Sequence, residues 1–468
     1  MSDRNSKRLP IYTVVVAFST VSFSLMGCSE HLDADASDID SDEPDESGVG
    51  EQSSPFIAGG SRDAKNDDPI LKSLAAAGNW ELAPSQAKLT VEAPPPQFDE
   101  MSDTELEALK KQAEADPAWY AEDGERYDAL YVTDGGVVYG RRGPAPEAKV
   151  LGEKDDYGAF HGLPSPPPSD KEYGFGALGE DPSPSSGIPG VGPDDLGIEE
   201  SDPLGVEIGV DSSDDQRGRI APFATLQSYP WRTVGAMTPD GDTTRGGCTG
   251  TKIGPRAVLT ASHCVLGSTG SVTLNGVFNA GQTNLAVTGG SIPWNGVFFR
   301  DWRVDRKYDY AVFFLSDSAE TVGLGWMGTW WSTSAAAYNG VANTVIGYPC
   351  GANGPGGCGT IAVQTCKAAQ RVDKRCDGWM YTDASFLNTA SFMAGEQLLF
   401  YNDVSKGQSG SAVWRTSSGG LSLIMGVVAY ADGPGTNAKG PRFRQSMWDD
   451  VCSWIGQKPS TFGTHPCQ

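Results

Sequence analysis

An all-β fold closed by one helix is what the carboxyl half of this 468-residue chain predicts. Three observations carry that prediction. Short runs rich in β-branched and aromatic residues recur after Arg219, among them RAVLTA, YAVFFL, NTVIGYP, SAVWR and LIMGVVAY. Gly- and Asn-containing turns separate them at the spacing of an antiparallel sandwich or barrel. A helical period appears only near the end, where Met447, Trp448, Val451, Trp454 and Ile455 fall on one face of RQSMWDDVCSWIG.

The segments ahead of that domain are built differently. Arg4, Lys7 and Arg8 precede an apolar stretch from Leu9 to Met26, and LMGC follows at Leu25 to Cys28. This is the pattern of an export signal, so residues 1–27 are expected to be a signal peptide. Small and apolar residues before a Cys resemble the bacterial lipoprotein cleavage box. That resemblance implies cleavage before Cys28, diacylation of its sulfur, and a membrane partner reached through the lipid, with Ser29 favouring the outer membrane. Each buried acyl methylene contributes about 0.8 kcal/mol, so two or more chains anchor stably. An uncleaved transmembrane anchor is the alternative, because this apolar stretch is nearly long enough to span a bilayer.

Residues 28–95 begin with an acidic run through Asp33, Asp35, Asp38, Asp40, Asp42, Glu43, Asp45 and Glu46. So little apolar surface cannot offset chain entropy, and a hydrated, disordered tether is expected. Residues 96–160 change character. Ser102 and Glu105 stand in capping-box spacing before Leu106 and Leu109, predicting a short helix. Two β-rich runs flank Asp134-Gly135-Gly136 in YDALYVTDGGVVYG, predicting a hairpin. This unit reads as a small pro-segment or a spacer. Residues 161–219 are dense in Pro, Gly, Ser and Asp, the composition of a linker. A single domain is expected from 220 to 468.

Charge divides the chain at the same place. Residues 220–468 hold 18 Lys and Arg against 15 Asp and Glu, leaving 17 against 45 in the first 219 residues. The formal net charge of −25 therefore belongs to the leader. A leader so acidic repels phosphates, which argues against a nucleic-acid partner. Apart from Cys28, eight cysteines lie between Cys248 and Cys467. An even number in an exported chain implies four disulfides, although sequence alone allows about 105 pairings.

Three short segments carry candidate chemistry, in the order His, Asp, Ser: LTASHC with His263, YDYAVFFL with Asp309, and GQSGSAV with Ser409. Taken singly, each has a bland reading: a packed imidazole, a carboxylate satisfied by backbone donors, a glycine-rich turn. Together they meet the needs of acyl transfer. A serine hydroxyl is a poor nucleophile and requires a base of near-ambient pKa, which an imidazole supplies. A carboxylate on the other ring nitrogen then fixes the tautomer. An α/β-hydrolase elbow is excluded by order, because that fold places its acid and His after the serine.

With YPWRTVG at Tyr229 to Gly235, CTGTKIGPRAVLTASHC at Cys248 to Cys264 and VIGYP at Val345 to Pro349, the chain from about Ile220 resembles the chymotrypsin-like serine proteases, in the bacterial branch that includes the glutamyl endopeptidases. The resemblance implies a double antiparallel β-barrel and a serine endopeptidase acting on proteins or peptides. It implies catalytic roles for His263, Asp309 and Ser409, and an oxyanion hole from the backbone N–H groups of Gly407 and Ser409. It also implies a bridge between Cys248 and Cys264. By their positions alone Cys452 and Cys467 could tie the final helix to the tail, and the pairing of Cys350, Cys358, Cys366 and Cys376 stays open. No cofactor or metal is expected, and a monomer is. The protein is expected to be exported, as a surface or outer-membrane lipoprotein, with release after processing a further expectation. A catalytically inactive binding protein on the same fold is the rival reading.

The chain departs from the family in places. Gln408 stands where trypsin-like zymogens carry the acid that receives a freed amino terminus, so a cut at Arg219–Ile220 is not expected to act through that switch. Val428 replaces the His with which glutamyl endopeptidases meet an acidic side chain. Asp403 stands where trypsin-like enzymes place a pocket-floor carboxylate. Ala429 replaces a serine that supports the catalytic Asp in trypsin-like enzymes.

Overall fold

Six strands of the carboxyl half close on themselves in the computed structural model of this chain. The structure describes residues 74, 79–85, 87–90, 101–133, 135–148, 160–162, 206–207, 218–220, 226, 228–238, 248–273, 276–282, 289–316, 323–338, 340–349, 380–387, 396–402, 404, 407–417, 420–431 and 438–456. The chain divides into two compact units, Met1–Asp63 and Ala64–Gln468, and every described residue falls in the second. No helix among the described residues is long and apolar enough to cross a membrane.

The leader contributes β1 (Trp80–Leu82), β2 (Lys88–Thr90), β3 (Ala129–Thr133), β4 (Val138–Arg141), β5 (Phe160–Gly162), β6 (Val206–Glu207) and β7 (Gly218–Ile220). The first barrel is made from β8 (Val234–Thr238), β9 (Cys248–Lys252), β10 (Ala257–Thr260), β12 (Val277–Ala280), β13 (Ser291–Phe299) and β14 (Ala311–Leu315), with the short β11 (Ser271–Thr273) beside it. Pairing runs β8–β9–β10–β14–β13–β12 and returns to β8, all antiparallel. Phe278, Phe313, Val258 and Met237 fill its interior, where aromatic and aliphatic side chains suit a closed, pleated wall.

The second half holds β15 (Gly328–Trp331), β16 (Ala342–Gly347), β17 (Tyr381–Phe386), β18 (Gln397–Phe400), β19 (Ala412–Thr416), β20 (Ser422–Val427), β21 (Tyr430–Ala431) and β22 (Ala438–Pro441). Antiparallel pairing joins β20, β19, β16 and β17. A bridge from Leu387 to Phe400 brings in β18, β18 pairs with β22, and a bridge from Gly426 to Arg442 returns to β20. The double-barrel expectation is met, and the closing helix is α2 (Gln445–Gly456). It buries the predicted face, with Trp454 stacked on Phe298 at 5.9 Å.

The leader strands add to both halves. β3 pairs with the end of β13, β4 with β3, and β1 with β4, extending the first sheet. β5 joins β15, while β6 and β7 extend the second sheet from β17. The helix α1 (Asp103–Glu114) begins at Ser102, which accepts from the Glu105 N–H at 3.3 Å while Glu105 Oε2 accepts from the Ser102 N–H at 2.8 Å. Such a capping residue contributes about 1 kcal/mol. Trp80, Trp119, Tyr127 and Tyr131 from this region share one core with the first barrel.

Candidate active site

His263 sits in the 3₁₀ turn Ser262–Cys264, immediately after β10. The strand ends there because Ser262 turns aside and donates from Oγ to the Arg300 carbonyl at 2.8 Å. Cys264 bonds to Cys248, the first residue of β9, and so ties the turn to a barrel strand. A loop of 16 residues closed in this way stabilises by about 3 kcal/mol on the chain-entropy account.

Asp309 follows the 3₁₀ turn Arg306–Tyr308 and leads into β14. Its φ of −76° and ψ of 58°, with Tyr310 N–H donating to the Tyr308 carbonyl at 2.7 Å, form an inverse γ-turn. That turn delivers the carboxylate to His263. The His263 backbone N–H donates to Oδ1 at 2.9 Å, and the ring Nδ1 lies 2.8 Å from Oδ2. A carboxylate oxygen accepts, so this contact suits the tautomer with the proton on Nδ1 and the lone pair on Nε2. Both residues are about 2% exposed, which excludes the water that would compete for this bond. The Trp302 indole stands edge-on to the imidazole at 6.0 Å.

Ser409 lies between β18 and β19, in a turn where Gly407 has φ +89° and Gly410 φ +85°. These left-handed conformations favour glycine. At Gly410 space forbids a side chain as well, since a Cβ would come within 2.1 Å of the Thr249 carbonyl oxygen and of Thr260 Oγ1. Thr249 links the two barrels: its N–H donates to the Ser409 carbonyl at 2.7 Å, and its Oγ1 donates to the Gly407 carbonyl at 2.9 Å. Cys264 Sγ lies 3.7 Å from the same Ser409 carbonyl, which brings the serine turn against the histidine turn. Ser409 Oγ and His263 Nε2 are both buried without a hydrogen-bond partner. Among the described residues, neither the Gly407 nor the Ser409 N–H donates to a backbone carbonyl.

Val428 borders this turn. Its N–H donates to the Ser411 carbonyl and its carbonyl accepts from Gly410 N–H, both at 2.8 Å. Gln408 and Ala429 are fully buried. Burial raises the phenols of Tyr310 and Tyr430 above the ordinary tyrosine range, so both stay neutral. Arg306 lies over the Tyr430 ring at 4.2 Å. Asp403, Cys28, Cys350, Cys358, Cys366, Cys376 and Cys467 lie outside the described residues, whereas Cys452 is disulfide-bonded. Arg219 and Ile220 lie within β7, paired on one side with β17 and on the other with β6. The one donor trio found among the described residues is Cys248, His263 and Cys264, and its sulfurs are taken up in the bridge.

The trypsin family model matches residues 224–455. This segment is a trypsin-family domain. The trypsin-family assignment makes the chain a serine endopeptidase, a hydrolase of peptide bonds. A glutamyl endopeptidase of Bacillus licheniformis is 26% identical over 249 residues, covering 51% of this chain and 67% of that protein. An extracellular metalloprotease of Bacillus subtilis is 24% identical over 251 residues, covering 52% and 69%. A solved Glu endopeptidase in complex with MPD is 18% identical with a TM-score of 0.40, covering 54% of this chain and all of that one. The roles of Thr249 and Ser262 in the trypsin-family domain were missed in the sequence, although each stands beside a residue singled out there.

Proposed function

We propose that His263, Asp309 and Ser409 form the catalytic triad of an exported serine endopeptidase that works through an acyl-enzyme. The observation that carries this reading is the double hold of Asp309 on His263, through ring and backbone, beside a serine in a glycine-flanked turn. Ser409 Oγ attacks the scissile carbonyl while Nε2 takes its proton, and Asp309 stabilises the imidazolium that forms. The bond between Oγ and Nε2 closes when substrate docks, as often happens in unliganded sites. Backbone N–H groups of Gly407 and Ser409 meet the oxyanion, a contribution of about 2.7 to 4 kcal/mol per donor. The imidazolium then protonates the leaving amine, and water repeats the sequence on the ester. Export is supported by the disulfide, which persists in oxidising compartments. Lipidation at Cys28 belongs to the same proposal.

A fluorophosphonate probe tests the assignment. The wild-type chain is expected to be labelled and Ser409→Ala to be blank; labelling of the Ala variant removes Ser409 from its role. An unlabelled wild-type chain that also leaves casein intact points instead to a noncatalytic binding protein.

A further inference from the structure

The segment between β13 and Asp309, residues 300–309, is gripped by the leader. Arg126 pairs with Asp301 at 2.7 Å, and Asp116 with Arg303 at 2.9 Å. Asp128 pairs with Arg300, and also with Arg141 at 2.8 Å. Arg141 reaches Asp450 of α2 at 2.6 Å, and Asp450 also accepts from the phenol of Tyr310, the residue next to Asp309. Two acids and two bases of the leader thus interleave with two acids and two bases of the trypsin-family domain. The side chains of Arg141, Arg303, Asp301 and Asp450 are at most 1% exposed.

The apolar contacts follow the same boundary. Residues 296–299 of β13 pair with β14 along one edge and with β3 along the other. Tyr131 stacks on Phe298 at 4.3 Å, and Trp119 meets Phe299 edge-on at 5.9 Å. A pro-segment that leaves must give up its contacts at modest cost. Departure here would strip a hydrophobic strand edge and leave only the Arg303–Asp301 and Arg300–Asp450 pairs to balance four buried charges, both unfavourable changes.

We propose that residues 101–148 are a permanent positioning element of the protease, with Asp116, Arg126, Asp128 and Arg141 holding the segment that ends in Asp309. The unit stays bound after any cut between it and the trypsin-family domain. This rests on the reading of Asp309 as the triad acid. The route to the base is short, because Arg300, held by Asp128, also receives the Ser262 hydroxyl on its carbonyl.

Two experiments on the full chain test the proposal. In the first, a recognition site for a specific endoprotease is inserted between residues 163 and 205 and cut. The two pieces are expected to co-elute under native conditions, with per-site activity within about twofold of the uncut chain. In the second, Asp116→Ala and Arg126→Met are measured with active sites counted by fluorophosphonate titration. A drop in kcat per titrated site of about tenfold is expected, with KM nearly unchanged, since an ångström of displacement is worth up to about a hundredfold. Asp116→Glu is expected to restore most of it. A purely structural role lowers the number of titrated sites and leaves kcat per site alone. Separation of the pieces with full per-site activity, or unchanged kcat per site in both variants, overturns the proposal. Failure of the triad reading is distinct, because the uncut wild-type chain then takes no probe.

Discussion

Gly410→Ala separates two costs that the structure keeps apart. The first is conformational: an L side chain at φ +85° costs about 1–2 kcal/mol. The second is steric. The new Cβ would sit 2.1 Å from the Thr249 carbonyl oxygen and 2.1 Å from Thr260 Oγ1, over an ångström inside ordinary contact. Neither obstacle yields easily, because Thr260 Oγ1 donates to that same Thr249 carbonyl at 2.9 Å. Relief must come from the serine turn itself, and overpacking of this kind costs about 1–3 kcal/mol. The expected loss is therefore about 2–5 kcal/mol in guanidinium unfolding. Gly420→Ala supplies the control: φ is +78° there and nothing lies within 4 Å of the new methyl, so only the conformational part remains. Fluorophosphonate labelling should slow by about a hundredfold in the Gly410 variant, since Ser409 moves with its turn. Equal stability of the two variants, with labelling at the wild-type rate, would refute the claim that Thr249 and Thr260 wall this turn.

Two other outcomes follow from the same geometry. Asp309→Asn keeps the shape but offers the ring an amide, and kcat is expected to fall by about four orders of magnitude, a figure taken from the chymotrypsin template, while KM and unfolding change little; steady-state kinetics on a peptide substrate checks it. Burial lowers the Lys252 ammonium to about 7, helped by the nearby charge of Arg256. The unfolded chain titrates near about 10.4 and so binds the extra proton between those values, which makes stability rise with pH across that window and stay at its lower level below about 7. Lys252→Met is expected to flatten that slope. At pH 7 it should gain about 1–3 kcal/mol net, the loss of the 2.6 Å bond to the Pro255 carbonyl offsetting part of the relief. A pH series of denaturant melts checks both points.

The candidate site could be singled out in the sequence because its residues sit in local signals. His263 ends an apolar strand beside a Cys, and Ser409 stands between glycines whose positive φ the turn requires. The capping box at Ser102 and Glu105 was legible for the same reason, being a four-residue pattern. What was not legible is non-local. No strand was expected before residue 127, yet β1 and β2 lie there; at three residues each they are too short for alternation to register. The hairpin β3–β4 announced itself through its turn, but nothing in it names β13 as the partner, over 160 residues away. The Arg141–Asp450 pair spans 309 residues and leaves no mark in either neighbourhood.

One carboxylate grips one residue at two points, since both oxygens of Asp309 are spent on His263. A single contact would act as a pivot; two on different atoms of the same residue act as a brace. Swinging the imidazole outward breaks the ring bond, and a hydrogen bond to a charged group is worth about 1.5–3 kcal/mol, while the backbone bond keeps the carboxylate in place to receive the ring again. The ring therefore keeps one orientation, and its disorder is removed once, when the chain folds.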